Sequence, residues 1–186
     1  MSTKDLIIEC SEYDVEHVIA DAEEIRKVNP QRHEMEQLTA IVFNDPERHI
    51  SVGYKDVSSD EFWVRGHMPG MPLMPGILMC EAAAQLCCYH VQKNNLMANH
   101  MIGFGGLEEV RFRDTVIPGD RLVLAAELLK LRKEPARDRR SSSPVPGPRP
   151  GPDAVEFRTA AGCDRQPCPY FWTGKQIPLF AGARLY

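Results

Sequence analysis

Residues 62–92 read FWVRGHMPGMPLMPGILMCEAAAQLCCYHVQ, and this stretch decides the fold. It predicts a short aromatic strand, then a loop rich in proline and glycine, then a run from about Ile77 to Val91 with almost no polar side chains. The leucines, methionines and alanines of that run favour a helix. A helix that is apolar on every face must be buried on every face. In a chain of 186 residues, a sheet has to wrap around it.

Two polar side chains interrupt this predicted helix. Glu81 and Gln85 are four residues apart, so they share one helix face. Burying a carboxylate costs several kcal/mol unless it is paired or serves in chemistry. The two polar residues and a length of about 25 Å also argue against a membrane-spanning segment.

His67 lies on the loop that leads into the helix, and Gly76 opens the helix. A histidine and a carboxylate at an apolar site are the parts of a general acid and base pair. The first N–H groups of a helix lack partners and favour developing negative charge. The spacing therefore predicts that a base, an acid and an oxyanion site converge. A structural histidine and a glutamate bonded to backbone are the competing interpretation, and the residues alone leave both open.

Residues 66–85, GHMPGMPLMPGILMCEAAAQ, resemble a long signature of the FabZ-type 3-hydroxyacyl-[acyl-carrier-protein] dehydratases, G-H-F-P-x-x-P-x-x-P-G-V-L-x-x-E-A-x-A-Q. Residues 103–122, GFGGLEEVRFRDTVIPGDRL, are similar to a second segment of that family, and the likeness covers roughly residues 21–131. The resemblance implies an α+β hot-dog fold, which is a curled antiparallel sheet wrapped around one long buried helix. The independent prediction from the apolar helix agrees with it.

The resemblance implies a reaction of fatty acid or lipid A biosynthesis, in which a (3R)-hydroxyacyl thioester loses water to give the trans-2-enoyl thioester. In it His67, in its neutral form, removes the C2 proton, and Glu81 donates a proton to the leaving C3 hydroxyl, directly or through a water. The N–H of Gly76 stabilises the enolate-like oxygen. No metal and no other cofactor is expected. The partners expected are an acyl carrier protein and a second copy of the chain, since family members place the histidine and the carboxylate of one site on different protomers.

Four further residues are expected to contact the substrate: Met68, Leu73, Pro75 and Gln85. Met68 replaces the usual phenylalanine beside the histidine and is expected to alter the pocket shape. Gln85 is predicted to bond Glu81 or the loop, or to have a purely structural role. Glu81 stands where FabA-type enzymes, which also isomerise the double bond, carry aspartate, and this favours a plain dehydratase.

One departure from the family pattern precedes these motifs. Where family members have a P-H-R-x-P-F-type stretch, residues 30–35 read PQRHEM, so one histidine and apolar residues that line the substrate end are missing. The preference for acyl-chain length is therefore not predictable from the resemblance.

Outside the motifs, hydrophobic spacing predicts the remaining elements. A helix is expected over residues 14–28, ending near Pro30. Strands are expected over residues 40–43, 50–57, 101–113 and 121–131, with a Pro-Gly turn before the last. In that last strand the residues predicted to face the helix are Leu122, Leu124, Ala126 and Leu128.

The sequence divides into three predicted parts. Residues 1–133 form the hot-dog domain, residues 134–153 are a linker or disordered stretch rich in proline, serine and arginine, and residues 154–186 form an irregular C-terminal tail with one possible strand at 154–161. One hypothesis is a genuine insertion followed by a resumed strand. The other is a tail read in a shifted frame, and the coding DNA decides between them.

Composition excludes several classes. The net charge of −4 argues against a general nucleic-acid binder. No run reaches 18 apolar residues and no signal-like segment follows the start, so a cytoplasmic protein is expected. The six cysteines lack CxxC spacing, and those in the helix are expected to act as small hydrophobes.

Two other functions stay open. The same fold hosts acyl thioesterases, although these lack the histidine loop, and a non-catalytic acyl-carrier-binding module is the third possibility. A basic cluster over residues 130–140 is expected to be a solvated linker rather than a nucleic-acid site. Part of it, with Arg111, Arg113 and Arg121, is predicted to attract an acidic carrier protein.

Overall fold

The fold is described from a computed structural model, in which residues 6–97, 102–107, 109–112, 114–132, 154–164 and 183–185 are described. The helices are α1 (Ala22–Arg26) and α2 (Gly76–Lys93), with short 3-10 turns at Cys10–Glu12 and His33–Met35. The strands are β1 (Ala40–Asp45), β2 (Ile50–Asp56), β3 (Phe104–Gly106), β4 (Arg121–Arg132), β5 (Ala154–Asp164) and β6 (Ala183–Leu185). They form one antiparallel sheet in the order β1-β2-β4-β5-β6-β3.

The central helix is confirmed and is slightly longer than predicted. Its buried residues occur on all sides of the helix, and it packs against β2, β4 and β5. Leu86, Cys87 and Val91 are completely shielded from solvent. Each buried side chain of the size of leucine or valine contributes about 1.5–3 kcal/mol. The predicted α+β arrangement, a sheet around one long helix, is therefore confirmed.

Strand β4 shows the alternation that the sequence predicts. Leu122, Leu124, Ala126 and Leu128 all belong to the same buried cluster as Leu86 of α2. The side chains between them point to the opposite face of the sheet, because successive residues of a strand alternate.

That opposite face has an apolar cluster of its own. Val123 and Ala125 of β4 lie there with Ile7 and Ile8 of the N-terminal segment. The segment before β1 thus covers part of the outer face of the sheet.

The predicted helix over residues 14–28 is much too long, because only Ala22–Arg26 is helical. The helix begins only after Asp21, whose side chain accepts a hydrogen bond from the N–H of Glu24 at 3.0 Å and caps it. Before it, Ala20 forms a bridge with Ile41 and continues the sheet instead. The helix-like spacing of apolar residues before Ala22 therefore does not reflect a helix, since this part of the chain runs along the edge of the sheet.

Two strand predictions also need correction. Residues 62–66 form consecutive turns rather than an aromatic strand, because the carbonyls of Glu61 and Trp63 accept hydrogen bonds from residues three or four positions later. Of the predicted strand 101–113, only Phe104–Gly106 is a strand within the described part of that range.

Beyond residue 132 the structure describes two more strands. β5 pairs with β4 along its whole length, from Arg132 opposite Ala154 to Arg121 opposite Asp164. Val155 and Phe157 of β5 are completely buried against the α2 side of the sheet. The predicted linker 134–153 lies outside the described residues, so the three-part division of the chain stays a prediction.

Over the described ranges, no helix is both long and apolar enough to cross a membrane.

Candidate active site

His67 is held by backbone hydrogen bonds on both sides. Its N–H donates to the carbonyl of Trp63 at 2.8 Å, and its carbonyl accepts from the N–H of Leu73 at 2.8 Å. Between these points Met68 and Met71 exchange two backbone hydrogen bonds of 3.1 and 2.9 Å. Gly70 has φ +78°, a left-handed conformation that favours glycine. The loop is thus a closed, internally bonded turn that presents the histidine at its surface.

The ring of His67 is oriented by a second contact with Leu73. Nδ1 lies 2.8 Å from the carbonyl oxygen of Leu73. Because a carbonyl oxygen only accepts, Nδ1 carries the proton in the neutral ring, and Nε2 is left with a free lone pair. The side chain is exposed to solvent, so this lone pair is accessible. The predicted substrate contact of Leu73 stays a prediction, and its carbonyl oxygen orients the histidine.

Gly76 begins α2, with Pro75 as the preceding N-cap residue. A Cβ at residue 76 would lie only 2.7 Å from two ring carbons of Phe112. Only glycine therefore lets this ring approach the start of the helix. Phe112 was not predicted as a site residue, because an aromatic residue in a loop gives no periodic signal.

Glu81 and Gln85 meet as their spacing predicts. Nε2 of Gln85 donates to Oε1 of Glu81 at 2.7 Å. Glu81 is only partly buried, whereas Gln85 is 2% exposed. The carboxylate thus stands at the edge of the core, with one oxygen held by a buried amide.

Gln85 connects α2 to the segment around residues 29–37. The same Nε2 donates to the carbonyl of Met35 at 2.7 Å, and Oε1 accepts from the N–H of Gln37 at 2.9 Å. The side chain of Asn29 donates to the carbonyl of Gln85 at 2.9 Å. This segment includes the stretch that departs from the family pattern. In this chain it fixes the side chain of Gln85, which in turn bonds Glu81. Backbone carbonyls carry no sequence signal, so these contacts were not predicted.

His67 and Glu81 do not contact each other in this single chain. None of the hydrogen bonds among the described residues joins them; the histidine bonds Leu73 and the glutamate bonds Gln85. Several large apolar side chains of the loop before α2, of the start of α2 and of the segment before β4 are exposed. They are Phe62, Met68, Met71, Ile77, Phe112 and Ile117. Ile77, one residue into the helix, is 68% exposed.

The cysteines of α2 behave as small apolar residues. Burial raises the pKa of the Cys88 thiol to about 12, with the neighbouring Glu81 carboxylate as a smaller cause. Burial also raises the pKa of Cys87 well above its usual value. Among the residues that the structure describes, no group of three histidine, cysteine or acidic side chains is arranged to hold a metal ion.

The predicted carrier-attracting arginines are not equivalent. Arg121 donates to Asp56 at 2.6 Å and to Glu16 at 3.1 Å, and its guanidinium lies 4.1 Å from the centre of the Tyr54 ring. Its charge is compensated by these partners. Arg111 is exposed, and Arg113 lies outside the described residues.

Comparison with known proteins identifies the family of this chain. A family model for the FabA-like domain matches residues 29–139, which is more than half of the chain. The chain belongs to the FabA-like family. Two relatives are both named 3-hydroxyacyl-[acyl-carrier-protein] dehydratase FabZ. The one from Pelotomaculum thermopropionicum is 38% identical over 112 residues, 60% of this chain and 79% of the relative. The one from Neisseria meningitidis serogroup C is 37% identical over 115 residues, 61% of this chain and 76% of the relative.

The resemblance to FabZ-type dehydratases is thereby confirmed, and solved structures confirm the hot-dog fold for this FabA-like chain. The dehydratase heterocomplex ApeI:P from Xenorhabdus doucetiae matches with a TM-score of 0.52 at 15% identity, over 87% of each chain. Cj0977, a sigma28-regulated virulence protein from Campylobacter jejuni, matches with a TM-score of 0.51 at 16% identity, over 90% of this chain and 91% of that protein. At such identities the two structures bear on the fold alone.

Proposed function

We propose that the protein dehydrates a (3R)-3-hydroxyacyl chain carried by an acyl carrier protein to the trans-2-enoyl form, in fatty acid biosynthesis. The relatives named for this reaction support the proposal, at 32–38% identity. The observation that carries it is the ring of His67, which has one nitrogen bonded to a carbonyl and the other free. A neutral imidazole held in this way is a general base aimed outward.

In the proposed reaction Nε2 of His67 takes the proton from C2, next to the thioester carbonyl. The electron pair of that C–H bond is delocalised onto the thioester oxygen as an enolate-like charge, and it forms the C2=C3 double bond as the C3–O bond breaks. Glu81 protonates the departing hydroxyl, which leaves as water. The proton then passes from His67 back to Glu81 before the next turnover, so the site returns to its starting state.

The N–H of Gly76 is proposed to stabilise the negative charge that develops on the thioester oxygen. A backbone N–H at the start of a helix is suited to this, because it lacks an intrahelical partner and the helix dipole favours an anion. Losing one such donor typically costs about 3 kcal/mol in transition-state stabilisation. The acyl chain is proposed to contact Met68, Leu73, Pro75 and Gln85.

The active unit is proposed to be a homodimer or a larger assembly of dimers. The exposed apolar side chains near His67 and Ile77 support this, because a patch of this kind marks an interaction surface. In the proposed dimer, His67 of one protomer and Glu81 of its partner form one site. The cytoplasmic location expected from the sequence stays a prediction.

The dehydratase activity is tested by incubating the purified chain with a crotonyl thioester and following the enoyl absorbance. We expect the signal to fall as water adds, with no thiol released. His67→Ala should slow the reaction by a factor on the order of 10³, because the base is lost. His17→Ala, an exposed histidine far along the chain from the motif, is the control.

Each other outcome identifies another function. Released thiol would make the protein a thioesterase. A bound but unchanged ligand, from a folded chain, would make it a binding module.

The shared site is tested by mixing the inactive variants His67→Ala and Glu81→Gln. If each site takes one residue from each protomer, a mixed dimer has one intact site. Random mixing should then restore about a quarter of the wild-type activity. No recovery, from subunits shown to exchange, would place both residues of a site on one chain.

A further inference from the structure

One ion pair of this chain is almost completely buried. Nζ of Lys55 lies 2.7 Å from Oε1 of Glu61, and their side chains are 6% and 13% exposed. The other ion pairs between described residues are more exposed than this one. Two charges in such a place lose much of their hydration, and apolar residues of similar volume are often as stabilising or more. Stability alone therefore does not explain why a charged pair occupies this position.

The pair joins the sheet to the segment that ends at His67. Lys55 lies in β2, where its backbone is held opposite Leu122 of β4. Glu61 begins the consecutive turns that follow β2, and its carbonyl accepts from the N–H of Val64 at 3.0 Å. The ion pair thus connects a strand in the middle of the sheet, through Lys55, to a turn, through Glu61.

From this turn, backbone hydrogen bonds lead directly to His67. The carbonyl of Trp63 accepts from the N–H of Gly66 at 3.0 Å and from that of His67 at 2.8 Å. The indole of Trp63 packs in the main core and is 4% exposed. Val64 of the turn also packs against this core, so the turn is held by apolar contacts and by one directional charged contact. Only the ion pair fixes the position of the turn along β2, because an ion pair prefers one geometry, whereas apolar contacts allow the turn to slide.

We propose that the buried Lys55–Glu61 ion pair positions His67, by holding the turn from Glu61 to Gly66 against β2 so that the imidazole reaches the carbonyl of Leu73. Lys55 and Glu61 are positioning residues, since they act through the backbone and not on the substrate. The inference rests on the proposed role of His67 as the base. It adds that the correct tautomer of this base depends on a contact twelve residues away in sequence.

The decisive variant replaces both charges together, as Lys55→Met with Glu61→Leu. Removing one charge would leave the other buried and unpaired and would destabilise the fold, whereas removing both avoids this. We expect an unchanged or higher thermal midpoint, little change in KM, and a kcat lowered about 10- to 100-fold, since a displacement of about 1 Å in a catalytic group costs up to about a hundredfold. An unchanged kcat in the folded double variant overturns the proposal.

The tautomer of His67 distinguishes positioning from general stabilisation. If the Lys55–Glu61 pair only stabilised the fold, its removal would leave the tautomer unchanged. The ¹⁵N imidazole signals of His67, assigned by their loss in His67→Ala, should report the Nδ1-protonated ring in the wild type. In the double variant they should report a mixture of both tautomers. A wild-type signal there overturns the proposal even if kcat falls. This measurement also separates the two hypotheses: a wild type without dehydratase activity rejects the proposed function, while the tautomer still reports on the ion pair.

A matched control removes a similar pair elsewhere. Glu127 of β4 and Arg158 of β5 pair across the sheet, with Nε of Arg158 2.9 Å from Oε2 of Glu127. Glu127→Leu with Arg158→Met should leave kcat and the His67 tautomer unchanged, and an equal loss there overturns the proposal. If the Lys55 double variant does not fold, Glu61→Gln decides. Glutamine keeps an oxygen that accepts a hydrogen bond from Nζ of Lys55, so the lysine is not left without a partner although the ion pair is lost. A wild-type tautomer with wild-type kcat in this variant overturns the proposal.

Discussion

The two ends of α2 each have a histidine, and the two differ in every property that governs reactivity. His67 precedes the helix on an exposed loop, with one ring nitrogen free. His90 lies near the other end and is completely buried. Its Nδ1 is 2.7 Å from the hydroxyl of Ser51, which in turn donates to Asn44 at 2.7 Å. The ring of His67 has an accessible nitrogen, as the proposed base requires, whereas the ring of His90 is enclosed.

Burial has a measurable consequence for His90. It lowers the pKa of the imidazole from 6.5 to about 4, and the nearby ring of His49 adds a smaller lowering. A charged imidazole would lose hydration there, and the attraction of the Asp45 carboxylate offsets only a small part of this loss. The comparison teaches that the residue type alone does not mark a catalytic base. An open nitrogen and an oriented ring distinguish His67.

The strongest test of the reactive end is Glu81→Gln. Glutamine keeps an oxygen that accepts the hydrogen bond from Gln85, so the local structure should be retained, but it has no acidic proton. We expect kcat to fall by a factor on the order of 10² to 10⁴ with an unchanged thermal midpoint, measured with the crotonyl thioester. Glu47→Gln in the exposed turn after β1 is the control. A fully active Glu81→Gln would remove Glu81 from the mechanism.

The sequence predicted the reactive end of α2 better than the buried end. The all-apolar run predicted the helix and its burial, and the spacing of Glu81 and Gln85 predicted their contact, because both depend on side chains at fixed helical intervals. The network around His90 was not predicted. Ser51 and Asn44 approach it from the paired strands β2 and β1, and a contact between these strands and a helix far along the chain leaves no trace in a local pattern.

Errors in the fold have a similar physical origin. The spacing of Val15, Val18 and Ala22 matched a helix, but the bridge of Ala20 to Ile41 and the cap at Asp21 delayed the helix start. Tertiary contacts overrode local propensity there. In the candidate site, the carbonyls of Leu73 and Met35 orient the side chains of His67 and Gln85. Because every residue has a carbonyl, the sequence gives no sign of such contacts.

The buried end is tested by the pH dependence of stability. The folded state holds His90 neutral, so its full contribution is present above the unfolded pKa of 6.5 and is lost as the pH falls towards about 4. The loss amounts to about 3 kcal/mol over this window. The free energy of unfolding is measured in urea for the wild type and for His90→Gln at both pH values. The advantage of the wild type over the variant should be smaller at pH 4 than at pH 7 by this amount. A constant difference would show that His90 does not titrate with unfolding.

The smallest effect is expected at the start of α2, from Gly76→Ala. The new Cβ would lie 2.7 Å from the Phe112 ring, which must move because the helix backbone cannot. Phe112 is 47% exposed, so the ring has space to swing outward, and the cost should be modest. We expect kcat/KM for the crotonyl thioester to fall about tenfold, or about 1.4 kcal/mol. Adding Phe112→Ala should restore part of it, and Gly66→Ala, whose Cβ meets no atom within 4 Å, should change little. If the second change restores nothing, the loss comes from a shifted N–H at residue 76 rather than from the displaced ring, and the helix start, not the aromatic ring beside it, sets the rate.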